Sequence, residues 1–215
     1  MKFLPFEVHT GQENMQIDYE ILENAIDNKD CEPTFRLYGW KPKCISLGRN
    51  QKDDFLDKEL LQAQNIDIVR RLTGGRALLH DRELTYSYVC PINSLKNGEN
   101  VTASYMEISS ILIDKMRKLG IELEFGGGKV HTKFDYCMLI STGADLTYKG
   151  KKLIGSAQFR KDGYILQHGS ILYDCDEGLL ETIFSEPIDK SYVTTIKEIN
   201  PNISFSELIK ALSYN

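Results

Sequence analysis

Apolar residues recur at three- and four-residue steps over 102–119, where Met106, Ile108, Ile111, Leu112, Met116 and Leu119 form one stripe and Gly120 supplies a stop. The same spacing predicts a helix over 14–26 through Ile17, Ile21, Leu22 and Ile26, and a short amphipathic helix over 53–64 with acids in its first turn. Elsewhere the pattern shortens to strand-like runs. Phe35–Trp40 and Cys44–Leu47 surround a Lys41-Pro42-Lys43 turn, Ile66–Arg70 leads into a glycine loop at 73–76, and Thr85–Val89 is closed by Pro91. Ile121–Phe125 reads as a strand before Gly126-Gly127-Gly128, which predicts a loop. Leu146–Tyr148 and Leu153–Ile154 flank a Lys149-Gly150-Lys151 turn, and Tyr164–Gln167 and Ser170–Tyr173 lie either side of His168-Gly169. Past Asp176 the chain reads as short helix and coil. This order predicts an α+β class, a mixed β-sheet flanked by helices, without regular βαβ alternation.

Composition adds boundaries to that picture. The chain has 215 residues, 41% hydrophobic and 27% charged, with no Pro/Gly/Ser-rich divider and no repeat. It reads as one domain over 1–215, its core at about 30–185, with a short C-terminal tail. The net charge of −5 argues against non-specific nucleic-acid binding. No window approaches the roughly 18–20 apolar residues of a membrane span. The start, Met1-Lys2-Phe3-Leu4-Pro5-Phe6-Glu7, carries a proline and an acid where a signal peptide needs an apolar run. A soluble, cytoplasmic protein is expected.

Five cysteines stand far apart with no C-x-x-C pair, and His9, His80, His131 and His168 show no H-x-x-x-H spacing. Neither a disulfide framework nor a metal site is expected, and four of the cysteines are expected to be buried thiols.

Three segments carry chemical potential. In Arg70-Arg71-Leu72-Thr73-Gly74-Gly75-Arg76-Ala77-Leu78-Leu79-His80, paired glycines after a strand let backbone N–H groups approach an acyl or phosphate oxygen, with arginines beside them. Taken alone, this is as well described as a glycine turn with solvated arginines. In Gly150-Lys151-Lys152-Leu153-Ile154-Gly155-Ser156-Ala157-Gln158, a lysine precedes a small-residue floor on which a linear ligand could lie; alone, it reads as an edge-strand lysine. In Leu166-Gln167-His168-Gly169-Ser170-Ile171-Leu172, the histidine could be purely structural.

Together, and in this order, the three segments resemble the lipoate protein ligase and octanoyltransferase family, whose catalytic fold is shared with biotin protein ligases. Tyr38-Gly39-Trp40-Lys41-Pro42 and Ser46-Leu47-Gly48-Arg49-Asn50-Gln51 are similar to its early strands, and the likeness covers about residues 30 to 175. The nearest branch is the cysteine-dependent octanoyltransferases that act on the glycine-cleavage H protein. Cys137, fifteen residues before Lys152, stands at the interval this branch predicts. The resemblance implies catalytic roles for Cys137, as the acyl-thioester carrier, and Lys152, which lowers the thiol's pKa. It implies substrate binding by Arg71, Thr73, Gly74, Gly75, Arg76, Ala77, His80, Gly155, Ser156, Ala157, His168 and Gly169. Leu78 and Leu79 are further candidates for the walls of an acyl slot.

The implied reaction takes octanoyl from acyl carrier protein and delivers it to a lysine of a lipoyl domain or H protein, with no cofactor. Both partners are typically acidic, which points to a docking face formed by Lys149, Lys151, Lys152, Arg160, Lys161, Arg70, Arg71, Arg76 and Arg82. Three alternatives stay open: an ATP- and Mg-dependent lipoate–protein ligase, a lipoyl amidotransferase, and a non-catalytic binder of acylated carriers.

Overall fold

The computed structural model describes residues 1–29, 31–127, 145–185 and 189–213. Strands β3 (Thr34–Trp40), β7 (Glu83–Pro91), β11 (Tyr164–Leu172) and β10 (Lys151–Lys161) form the antiparallel centre of the larger sheet. β9 (Leu146–Tyr148) and β8 (Glu124–Phe125) extend it on one side, and β1 (Lys2–Phe3) and β2 (Glu7–His9) join β3 in parallel on the other. A smaller three-stranded sheet has β4 (Lys43–Leu47) between β5 (Ile66–Arg70) and β6 (Leu78–His80). The α+β reading holds, with two sheets where the strand pattern suggested one.

Helices cover both faces of the large sheet. On one lies α3 (Val101–Arg117), whose Ile108, Leu112 and Met116 are buried at four-residue steps, with Asn100 capping its first turn at Ala103 N–H (2.9 Å). Across the other runs α1 (Gly11–Asp27), opened by a capping box between Thr10 and Glu13. Its buried face is Gly11, Asn14, Asp18 and Leu22, while Ile17, Ile21 and Ile26 are half-buried. The apolar stripe expected there is therefore rotated from the face that packs. The displaced positions are taken by polar groups with buried partners. Asn14 donates to Gly39 O (2.9 Å), and Asp18 accepts from Arg36 (2.9 Å), Tyr38 (2.8 Å) and Ser87 (2.8 Å).

The short helix α2 (Lys58–Ala63) starts later than predicted, because Asp57 caps it through Glu59 and Leu60 N–H. Only Glu124–Phe125 of the 121–125 run is strand. The hairpin of β10 and β11 is longer than the pattern showed. Gly155-Ser156-Ala157 and His168-Gly169, expected as a floor and a break, are consecutive ladder positions in it.

The buried cluster takes in residues past 185: Ile196 in α5 (Ile196–Ile199) and Leu208 and Leu212 in α6 (Phe205–Ser213) lie in the same core as α4 (Glu177–Phe184). Among the described residues no helix is long and apolar enough to cross a membrane.

Candidate active site

Register across the large sheet makes the floor of a cavity. Tyr38, Thr85, Ser170 and Gly155 are opposite one another across β3, β7, β11 and β10, and Arg36, Ser87, His168 and Ala157 form the next such row. Three interstrand steps of about 4.8 Å make the first row roughly 14 Å long. The second sheet faces it with Ser46, Leu78 and His80, and a small cavity of about 70 Å³ lies between.

The glycine loop and the strand after it contribute Arg71, Gly75 and His80 to the lining. The hairpin contributes Gly155, Ser156, Ala157, His168 and Gly169. Thr73, Gly74, Arg76 and Ala77 are not in the lining. Thr73 bonds His168, the carbonyls of Gly74 and Arg76 accept from Arg71, and Ala77 is fully buried. Leu78 is a wall, but Leu79 points into the core, since neighbours in a strand face opposite ways. Trp40, Thr85 and Ser170 also face the cavity without having been singled out. Pairing parity with His168 and Gly155 is the signal that would have found the last two.

Two glycines allow close backbone approaches in the walls around the site. A Cβ on Gly169 would lie 2.5 Å from Gly155 O and 2.7 Å from the Tyr86 ring, and one on Gly48 only 1.9 Å from Gly75 O. Gly75 itself has φ +99°, a conformation open mainly to glycine.

Lys152 is 2% exposed and its ammonium lies 3.0 Å from Asp145, itself buried. Its backbone is held by the chain beyond α4, with Lys152 N–H donating to Tyr192 O (2.7 Å) and Thr194 N–H to Lys152 O (2.9 Å). Lys152 is not among the residues lining the cavity. Cys137 lies outside the described residues. Of the other cysteines, Cys44 and Cys90 are buried, Cys175 is half-buried and Cys31 is exposed, so only two match the expectation of buried thiols. Burial pushes the Cys90 and Cys175 thiols up to about 11, and the Cys44 thiol higher still, which makes all three poor nucleophiles at neutral pH.

The expected basic face is largely engaged within the molecule. Arg71 and Lys152 are buried, and Arg70 donates to the carbonyls of Gly48 (2.8 Å) and Gln51 (2.6 Å). Lys161 pairs with Glu23 (2.6 Å), Arg160 reaches Ser104 (2.5 Å), and Arg82 lies among Asp81, Asp174 and Asp176. Lys149 and Lys151 are exposed at their turn.

Buried charge gives the site a pH signature. Burial lowers the pKa of His80 below the usual imidazole range, with Glu83 opposing it only in part. Burial alone would raise the Asp18 carboxyl, but the His168 hydrogen bond and Arg36 reverse this, leaving it below the usual range. On acidification the unfolded chain protonates its histidines near pH 6.5 while folded His80 resists, so stability falls as pH drops through that region. Asp18 adds stability that is fully present above about pH 4 and is lost as pH falls through its lower folded value. Urea midpoints measured from pH 8 to 5 should therefore decline below about 6.5, and less so in His80→Asn. A flat profile for the unaltered protein would contradict the buried, neutral His80.

Two sheets thus enclose an apolar slot, with a glycine loop at one wall and a buried lysine on one of the strands that floor it. Residues 10–215 match the family model described as the lipoyl protein ligase A/B catalytic domain, and the chain belongs to that family. It is 40% identical over 182 residues to "Octanoyltransferase LipM" of Macrococcus caseolyticus, covering 80% of this chain and 65% of that protein. The LipM of Clostridioides difficile is 39% identical over 173 residues, covering 78% and 64% respectively. This chain thus spans slightly less than two thirds of the length of either relative. A crystal structure of lipoate-protein ligase A bound with ATP has the same fold, with a TM-score of 0.78 at 21% identity over 98% of this chain and 81% of that one.

Proposed function

We propose that this chain is an octanoyltransferase that takes an octanoyl group from acyl carrier protein onto Cys137 and passes it to a lysine of a lipoyl carrier domain of the H-protein type. The observation that carries this reading is the 39–40% identity to proteins named octanoyltransferase across about four fifths of the chain. The narrow cavity between the sheets suits a linear apolar chain, whose burial contributes about 0.8 kcal/mol per methylene. The Cys137–Lys152 interval and the burial of Lys152 beside Asp145 are consistent with the proposed pair.

In this mechanism an ammonium at Lys152 favours the thiolate of Cys137, because a nearby opposite charge stabilises the ionised form. The thiolate attacks the donor thioester carbonyl. The Cys137–acyl bond forms as the carrier's carbon–sulfur bond breaks, and the carrier thiolate leaves and takes up a proton. Backbone N–H groups of the Gly74–Gly75 loop are candidates to stabilise the oxyanion. An acceptor lysine amine then attacks the acyl-enzyme, which releases the Cys137 thiol and forms an amide. Thioester exchange is nearly isoenergetic, so this first step requires no ATP.

Incubation with octanoyl acyl carrier protein followed by intact-mass measurement tests the reading. One octanoyl adduct is expected, removable by hydroxylamine and absent from Cys137→Ala. ATP-dependent adenylate formation with no adduct would overturn it in favour of ligase chemistry.

A further inference from the structure

The two histidines at the cavity have matching surroundings. Asp18 Oδ2 is 3.3 Å from His168 Nδ1, and His168 Nε2 is 2.7 Å from the Thr73 hydroxyl. Glu83 Oε1 is 3.0 Å from His80 Nδ1, and His80 Nε2 is 2.8 Å from the Ser46 hydroxyl. Each set is an acid–imidazole–hydroxyl line, and all six side chains are buried. A carboxylate offers only acceptors, so Nδ1 must carry the proton, and an unionised ring then presents Nε2 as the acceptor for the hydroxyl. Both carboxylates have further donors that fix their position. Ser87, Arg36 and Tyr38 bond Asp18, while Thr85 and Ser170 bond Glu83 at 2.8 Å and 2.6 Å.

The two lines end on one guanidinium. Arg71 Nε donates to Thr73 Oγ1 at 3.2 Å, and Nη1 donates to Ser46 Oγ at 3.1 Å. From the same group, Nη2 donates to the carbonyls of Gly74 (3.0 Å) and Arg76 (2.7 Å). A carbonyl turned towards Arg71 turns the N–H of the same peptide plane away from it. Arg71 therefore sets which way the peptide groups of the glycine loop point. Acid–imidazole–hydroxyl lines can also activate a nucleophile. Here both hydroxyls are 1% exposed and accept an N–H from a guanidinium, which draws electron density from the oxygen, so the arrangement holds the hydroxyls in place rather than activating them.

We infer that Asp18 and Glu83 are positioning residues for acyl transfer, acting through His168 and His80 to orient the Thr73 and Ser46 hydroxyls and so the Arg71 guanidinium that shapes the glycine loop. This rests on the acyl-transfer reading and assigns it two acids that do not line the cavity. The two lines reach Arg71 by different routes, one from α1 through β11 and the other from the start of β7 through β6 and β4 of the small sheet. The loop is held only when both are intact.

Long-range 1H–15N spectra of the full chain read the tautomers directly. Both His80 and His168 should carry their proton on Nδ1, and a proton on Nε2 of either ring overturns the proposal whatever the activity. Asp18 also pairs with buried Arg36, so Asp18→Asn risks unfolding, and Glu83→Gln carries the kinetic arm. With octanoyl acyl carrier protein as donor, Glu83→Gln should lower kcat about 10- to 100-fold while KM moves less than about 3-fold. Where Asp18→Asn folds, the double variant should be little worse than the poorer single one, since both act through Arg71. A folded Glu83→Gln with unchanged kcat, or one whose only change is in thermal melting, overturns the inference. If the unaltered protein transfers no octanoyl group, the acyl-transfer reading fails, and the tautomers still decide whether the relay exists.

Discussion

Lys152→Met is expected to destabilise the fold by about 3–5 kcal/mol, the usual cost of removing one member of a buried ion pair. Methionine fills a comparable volume, so the effect isolates the charge. Asp145 is 2% exposed, and it would lose the ammonium now 3.0 Å away while staying far from water. The double variant Lys152→Met/Asp145→Asn should recover much of the loss, because it removes the buried carboxylate charge along with its counter-ion rather than restoring the pair. On the proposed mechanism octanoyl loading falls at least about 100-fold in both, since neither would supply the ammonium assigned to the Cys137 thiolate. Urea unfolding and intact-mass loading separate the two consequences. A single variant within about 1 kcal/mol of the parent would mean that the pair is not a buried, mutually dependent unit.

Gly169→Ala should also be damaging, though less so, for reasons of space alone. Its Cβ would meet Gly155 O at 2.5 Å, Ser156 Oγ at 2.7 Å and the Tyr86 ring at 2.7 Å. None of these yields easily. Gly155 O is backbone in β10, and the Tyr86 hydroxyl is tied to Ser156 (2.7 Å) and Gln167 (3.0 Å). The strands must part where they floor the cavity, at a cost of about 1–3 kcal/mol. Loading should slow in parallel, as the slot loses its shape. Gly127→Ala is the control, because among the described residues its Cβ would meet no atom within 4 Å. Equal urea midpoints for the two variants would rule out the crowding argument.

Much of the architecture was legible where one period dominates a long window. The stripe Ile108, Leu112, Met116 in α3 is buried as its spacing predicts, because that helix packs through apolar contacts. In α1 the stripe pointed to Ile17 and Ile21, yet the packed face contains Asn14 and Asp18. Apolar periodicity does not register a helix anchored by buried polar bonds, and for the same reason Asp18 was not singled out as part of the site. Strands β1 and β2 escape notice because two or three residues cannot establish an alternation, and their parallel pairing with β3 is a tertiary event. The glycine loop and hairpin residues were found through ordered motifs, and most of them do meet at one cavity. Ser46 and Ser170 stand inside motif segments and Thr85 in a predicted strand, yet nothing local marks them as site residues. They reach the cavity only through the register of β4, β7 and β11, which depends on partners far away in sequence.

The bonds from Lys152 to Tyr192 and Thr194 give the lysine a splint supplied some forty positions downstream. Val193 bridges it in parallel, so the start of β10 is flanked by β9 on one side and by this returning segment on the other. An amine mounted there cannot drift with a fraying edge. Its aim is inherited from how well the last helices seat themselves, so a lesion near α5 or α6 would be felt as a misdirected ammonium long before the domain came apart.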